Sequence, residues 1–325
     1  MITSIGMLPS RKITKFREYK PLQEDVSVLD EYKLDILDTL SDANSARSFD
    51  LEDEITQNDK LIYATCFDDE FMGLAVFTSN YYNDNYTVKV HHNNSIISTI
   101  FDSCLLENDL IALATMDTAD VLIHDVFVNQ PLKPSMVLKY KSNNISTDNF
   151  FVSGVKYFNN HLYSTCYTNL IKWDLEKTTV INEENKNMEI ERFNINENAV
   201  VVGKDLNILI NNDIVYIENP LEQFTLSNNF VYVVDSEGFL TSFDLRNLEN
   251  KKSKQITDNK AIFDVKVTDD KIIIISEDKS LRILDKDFNQ LDKIELVSTP
   301  NVMCVDDDVL FVGLEDSFIQ PYKFE

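Results

Sequence analysis

Short apolar runs rich in β-branched and aromatic residues, separated by Asn/Asp pairs, recur along this chain of 325 residues. The clearest unit is Asn159 to Leu175. His161–Cys166 predicts a strand, Tyr167–Asn169 a tight turn and Leu170–Asp174 a second strand. The chemistry suits that reading. Asn and Asp accept the backbone of tight turns, and β-branched and aromatic side chains fit a pleated surface. The same plan opens at Asn58-Asp59, Asn108-Asp109, Asn159-Asn160, Glu197-Asn198, Asn228-Asn229, Asp269-Asp270 and Asp307-Asp308. Successive openings lie 50, 51, 38, 31, 41 and 38 residues apart, close to the ~40 of a propeller blade. A second landmark keeps the same register. Asp125, Asp174, Asp213, Asp244 and Asp285 each fall about fifteen residues after an opening, where the following strand is expected to end.

Each unit is then a small antiparallel sheet that cannot bury both of its own faces. Radial stacking buries them and leaves only short edges. Ile62-Tyr-Ala-Thr-Cys66 and Leu162-Tyr-Ser-Thr-Cys166 align position for position. Alternation places Ile62, Ala64 and Cys66 on one face, as it does Leu162, Ser164 and Cys166.

Lys172-Trp173-Asp174-Leu175 resembles the Trp-Asp strand end of a WD40 repeat. Phe243-Asp244-Leu245-Arg246 and Ile283-Leu284-Asp285 resemble it with the Trp replaced, and Asp235-Ser236-Glu237-Gly238 resembles the family's Asp-Gly turn. The resemblance runs from about Asp50 to the C-terminus. The chain departs from the family in having one Trp and no Gly-His dipeptide at a repeat opening. The family's His–Ser–Asp–Trp hydrogen-bond network is therefore expected to be absent or substituted. The resemblance implies an all-β fold, a seven-bladed WD40-like propeller, with residues 31–325 as one domain and 1–30 as an N-terminal extension. A strand from residues 10–30 is expected to close the ring as the outer strand of the last unit. If Val26–Asp50 forms a complete blade, the count is eight. Surplus residues at Ser79–Thr87, Lys141–Asn149 and Glu176–Asn187 read as loops, the last of them mobile.

Composition narrows the function classes. A hydrophobic fraction of 43% supports a packed core. With only six Gly, Asn and Asp must fill the turns. A net charge of −25 disfavours direct contact with nucleic-acid phosphates and favours basic partners. The four Cys show no metal-ligand spacing and read as reduced, buried thiols. No run approaches the ~20 apolar residues of a membrane span. Met1–Ser10 is too short and polar for a signal peptide, so a cytoplasmic or nuclear location is expected.

The turns joining the two strands of each unit are strongly acidic: Asp68, Asp69 and Glu70; Asp117 and Asp120; Asp205; Asp235 and Glu237; Glu277 and Asp278; Glu315 and Asp316. On one face of a propeller they would form an acidic docking ring for a basic segment. Local turn chemistry accounts for one acid per turn, but not for two or three. His91-His92 reads as a pair of exposed edge histidines, His124 as a packed substitute at the Trp position, and Trp173 as a wedge between sheets. Ser103 and the other serines lie in no Gly-x-Ser-x-Gly context, and there is no phosphate loop or metal motif. The expectation is a non-catalytic scaffold or adaptor without cofactor or metal. It would be a monomeric propeller within a hetero-complex, either as a fixed subunit or as an escort for a ribosomal protein or histone. The alternative is an esterase-like propeller hydrolase with its site at the central channel.

Overall fold

Asn58-Asp59 precedes the second strand of its sheet, Lys60–Phe67, and each of the other predicted openings is the turn between the innermost strand of a sheet and its neighbour. Asp109, Asn159, Asn160, Asn228 and Asp307 hold positive φ there, between 49° and 64°. These residues therefore do what glycine does in glycine-richer chains. The computed structural model describes residues 1–10, 17–18 and 55–324, apart from 57, 68–71, 83–84, 97, 130–132, 142–149, 212 and 269.

Seven antiparallel sheets follow one another around a channel. From the channel outward, blade 1 comprises Ile2–Leu8, Lys60–Phe67, Met72–Tyr82 and Asn85–Ser95, and blade 2 comprises Ile100–Leu105, Leu110–Thr115, Val121–Asp125 and Met136–Leu138. Blade 3 holds Val152–Phe158, His161–Cys166, Asn169–Asp174 and Thr179–Asn185, and blade 4 holds Arg192–Ile195, Val200–Lys204, Asn207–Ile210 and Asp213–Tyr216. Blade 5 is Leu221–Ser227, Phe230–Asp235, Phe239–Asp244 and Asn247–Gln255, and blade 6 is Ile262–Val267, Ile272–Ser276, Ser280–Leu284 and Gln290–Glu295. Blade 7 has three strands, Pro300–Asp306, Val309–Leu314 and Ile319–Lys323. Its inner strand packs against Ile2–Leu8, which closes the ring.

Seven apolar clusters fill the seven seams between blades. The run Ile272-Ile273-Ile274-Ile275 shows why a continuous apolar stretch is needed. Ile272 and Ile274 pack against blade 5, while Ile273 and Ile275 pack against blade 7. A strand alternates its side chains between faces, and here both faces are dry. Each fully buried isoleucine contributes roughly 2 kcal/mol of apolar transfer free energy.

The Asp landmark has a physical cause. Asp125, Asp174, Asp244 and Asp285 each close the turn into the outer strand by accepting a backbone N–H, from Phe127 (3.0 Å), Lys177 (3.0 Å), Arg246 (3.0 Å) and Asp287 (2.8 Å). Asp213 departs from the expectation. The third strand of blade 4 ends at Ile210, so Asp213 instead opens the outer strand.

Other expectations are also corrected. Ser79–Tyr82 and Asn85–Thr87 are strand rather than loop: Met72–Tyr82 pairs with Asn85–Ser95 in a register that continues past Ser79. Glu176–Asn187 supplies the outer strand of blade 3, Thr179–Asn185, and is not a mobile loop. Ile2–Leu8 is a strand already inside blade 1, paired with Leu61–Cys66. The expected closing strand within residues 10–30 and the hairpin at Val26–Asp50 lie almost wholly outside the described residues. Arg17–Glu18 is described, and it pairs in parallel with Val128–Asn129 of the blade 2 region.

Candidate protein-docking face

All seven blades are wound the same way, so every turn between a second and a third strand emerges on one face, beside the connection entering that blade. Backbone hydrogen bonds tie turn to connection: Met116 N–H to Thr99 O (2.9 Å), Ser236 to Pro220 (3.0 Å), Glu277 to Ala261 (2.9 Å) and Glu315 to Thr299 (2.9 Å). In blade 5 this junction requires glycine. Gly238 has φ +83°, and a Cβ there would lie 1.8 Å from Thr257 Oγ1.

The acidic turn residues divide into two kinds. Asp235 is buried. Its Oδ1 accepts the N–H groups of Glu237 (3.0 Å) and Phe239 (2.8 Å), and its Oδ2 accepts Asn219 Nδ2 (3.0 Å). Asp120 Oδ1 accepts the Tyr140 N–H at 2.9 Å. Asp278 accepts the hydroxyls of Ser276 and Ser280, both at 2.6 Å, and pairs with Arg282. Burial pushes the Asp278 carboxyl up, but Arg282 and the two hydroxyls override it and hold the group below the usual carboxylate range. These three acids build the turns. Asp117, Asp205, Glu237, Glu277, Glu315 and Asp316 are instead exposed. Of these, Glu277 pairs with Lys260 at 3.3 Å. Asp68, Asp69 and Glu70 lie outside the described residues. The blade 3 turn, at Tyr167-Thr168, carries no acid.

Sequence reasoning missed the apolar share of this face. Phe101 (40% exposed), Met116 (53%), Phe151 (41%) and Phe318 (68%) all sit at strand starts or turns on this side. The Phe101 and Phe151 rings lie 5.1 Å apart, and Phe150 stacks on Tyr167 at 4.7 Å. The available signal was a large apolar residue at a strand boundary, where alternation alone assigns no partner.

The charged side chains of the channel were also missed. Inner strands of all seven blades line a cavity of about 270 Å³ that includes Asp102, Lys156, Arg192, Asp264 and Lys266. Asp102 and Asp264 occupy equivalent places, just after a register shift, within Ile100-Phe101-Asp102 and Ile262-Phe263-Asp264. Each clasps the next blade. Asp102 Oδ2 accepts the Val155 N–H at 3.1 Å, and Asp264 Oδ2 accepts the Met303 N–H at 3.0 Å. Asp102 also takes Lys156 Nζ at 3.0 Å. Burial opposes the charge on Lys156, but the Asp102 carboxylate raises its pKa. The recurring Ile-Phe-Asp triplet could have revealed these clasps.

Trp173 is fully buried and donates its Nε1–H to Ser164 Oγ at 2.8 Å, so half of the family's hydrogen-bond network survives. His124 occupies the matching position in blade 2. It is buried without a hydrogen-bond partner, and burial lowers its pKa to about 4. The expected exposed pair His91-His92 is in fact half-buried. His92 Nε2 lies 2.6 Å from Val126 O, and burial lowers the His92 pKa to about 4. The four cysteines are buried and form no disulfide. Among the described residues, no cluster of His, Cys, Asp and Glu is suited to a metal ion.

Seven radial four-stranded or three-stranded sheets, with a Trp–Ser pair in blade 3, make this a WD40-like β-propeller. The chain is similar to the WD40 β-propeller domain of Doa1, with 12% identity and a TM-score of 0.64 over 82% of this chain and 89% of that one. It is equally similar in fold to BBS1N, solved in complex with ARL6DN (11% identity, TM-score 0.64, again 82% and 89%). A chain of the mitotic checkpoint complex matches at 11% identity and a TM-score of 0.55, over 66% of this chain and 73% of its own length. No family profile and no curated protein matches by sequence.

Proposed function

We propose that this chain is a non-catalytic propeller scaffold, docking a basic protein segment through the exposed acids of its turn-bearing face. The observation that carries this reading is the exposure of Asp117, Asp205, Glu237, Glu315 and Asp316 on one face, beyond what the turns themselves consume. The clasping role of Asp102 and Asp264 supports the non-catalytic part, because these two channel carboxylates are occupied in holding blades together. Propellers of the same fold occur in BBS1N bound to ARL6DN and in the mitotic checkpoint complex, which supports a role among protein partners. The partner is a lysine- or arginine-rich protein. The chain acts in the cytoplasm or nucleus as its escort or as one subunit of a larger assembly.

The test is fluorescence anisotropy with a labelled Lys/Arg-rich peptide, at two salt concentrations, on the wild type and on a Glu237→Lys, Glu315→Lys, Asp316→Lys triple variant. Affinity should fall by roughly tenfold or more in the variant, with a shallower salt dependence. Equal affinity and equal salt dependence would sink the docking role.

A further inference from the structure

The turn-bearing face is polarised. Over blades 1, 2 and 3 the described turns and strand starts expose Phe67, Met116, Phe101, Phe151 and Tyr167, with Asp117 the exposed turn acid among them. Four of the six exposed turn acids, Glu237, Glu277, Glu315 and Asp316, lie over blades 5, 6 and 7, while Asp117 and Asp205 lie over blades 2 and 4. Val297, between blades 6 and 7, and Phe318, in the blade 7 turn beside Asp316, are exposed apolar side chains set among these acids, and Leu206 follows Asp205 in the blade 4 turn. The apolar half is ordered rather than scattered. Phe101 and Phe151, from the inner-strand starts of blades 2 and 3, pack against each other beside the channel mouth, with the Phe150–Tyr167 stack next to them. A contiguous apolar patch of this kind on a soluble surface marks a contact site. Half-exposed aromatic rings are the residue type that anchors such contacts at low conformational cost.

A purely basic ligand would leave this patch wet, and a purely apolar one would leave the acids unused. A second copy of the chain would bring acid to acid in a protein of net charge −25. We infer that the face takes a bipartite segment that crosses the channel mouth. One end carries bulky apolar residues that seat on Phe101, Met116 and Phe151. The other carries Lys or Arg against Glu237, Glu315 and Asp316. This inference rests on the docking role proposed above and adds the apolar anchor and its polarity. It also sets two energetic signatures. The basic end contributes a salt-sensitive part of the affinity, and the anchor a salt-insensitive part.

The experiment pans a random phage-displayed peptide library against the immobilised full chain. Recovered peptides are then measured against three variants: Phe101→Ser with Phe151→Ser, Met116→Ser alone, and Glu315→Lys with Asp316→Lys. Melting curves check that each variant is folded; Met116 and the two acids are exposed, so those variants remain informative even if the double Phe variant melts early. The expected peptides carry bulky apolar residues in one half and Lys/Arg in the other. They lose roughly tenfold or more with the aromatic or Met116 variant at every salt concentration, and lose with the acid variant mainly at low salt. Peptides that lose affinity only with the acid variant would overturn the apolar anchor and leave basic docking standing. Failure to recover any peptide dependent on this face would overturn both.

Discussion

Replacing Asp264 with Ala tests whether the channel carboxylates clasp the blades. The side chain is almost fully buried. Its Oδ1 accepts the Val265 N–H at 2.8 Å and Lys266 Nζ at 3.2 Å, and its Oδ2 accepts the Met303 N–H of the next blade at 3.0 Å. Truncation orphans two N–H groups in buried backbone, on Val265 and Met303, each costing about 1–3 kcal/mol. With the lost Lys266 contact the expected destabilisation is about 3–5 kcal/mol. At ~2.1 cal/mol/K per residue, the unfolding entropy of this chain is about 0.7 kcal/mol/K, so the melting temperature should fall by about 4–7 °C. Asp264→Asn keeps one acceptor oxygen and should lose about half as much. Differential scanning calorimetry of wild type, Asp264→Ala and Asp264→Asn at one pH reads these shifts. A fall below about 2 °C for the Ala variant, or equal falls for both variants, would refute the clasp.

Two further outcomes follow from the same packing. His124 is buried with its pKa lowered to about 4, against about 6.5 in an unfolded chain. Its neutral state therefore contributes stability that is full above pH 6.5 and is lost as pH falls towards 4, approaching about 3 kcal/mol. His124→Phe should flatten stability measured by denaturant titration across that window, and an unchanged pH dependence would contradict the burial argument. Gly238→Ala forces a Cβ into Thr257 at positive φ, so a loss of at least ~2 kcal/mol is expected on chemical denaturation, and a neutral result would contradict the junction geometry.

Much of the fold was legible in the sequence because the structure spends its distinctive residues on turns. The Asn/Asp pairs mark the first turn of most blades, with positive φ in blades 2, 3, 5 and 7, and the recurrent Asp marks the turn into the outer strand. Asp213 misled because blade 4 is short, which moves the same residue type from the end of one strand to the start of the next. Ile2–Leu8 was hidden because it is separated from its pairing partner, which begins at Lys60, by a long stretch of sequence, so no local repeat contains both. The acids of the candidate site were visible, but their division was not. Whether an Asp builds its turn, as Asp235 does, or faces solvent beside it, as Asp316 does, depends on which N–H groups the fold brings within reach. The apolar half of the face escaped for a related reason. Phe101 and Phe151 lie at strand ends, where alternation no longer says what covers a side chain.

The central claim is that the turn-bearing face recruits this protein's partners. It is tested most directly by isolating the full chain from its native cell, as wild type and as the Glu237→Lys, Glu315→Lys, Asp316→Lys variant, and quantifying co-purifying proteins by mass spectrometry. The account predicts a basic partner at near-equal stoichiometry with the wild type that is depleted with the variant. Recovery of the same partners in the same amounts from both would contradict it.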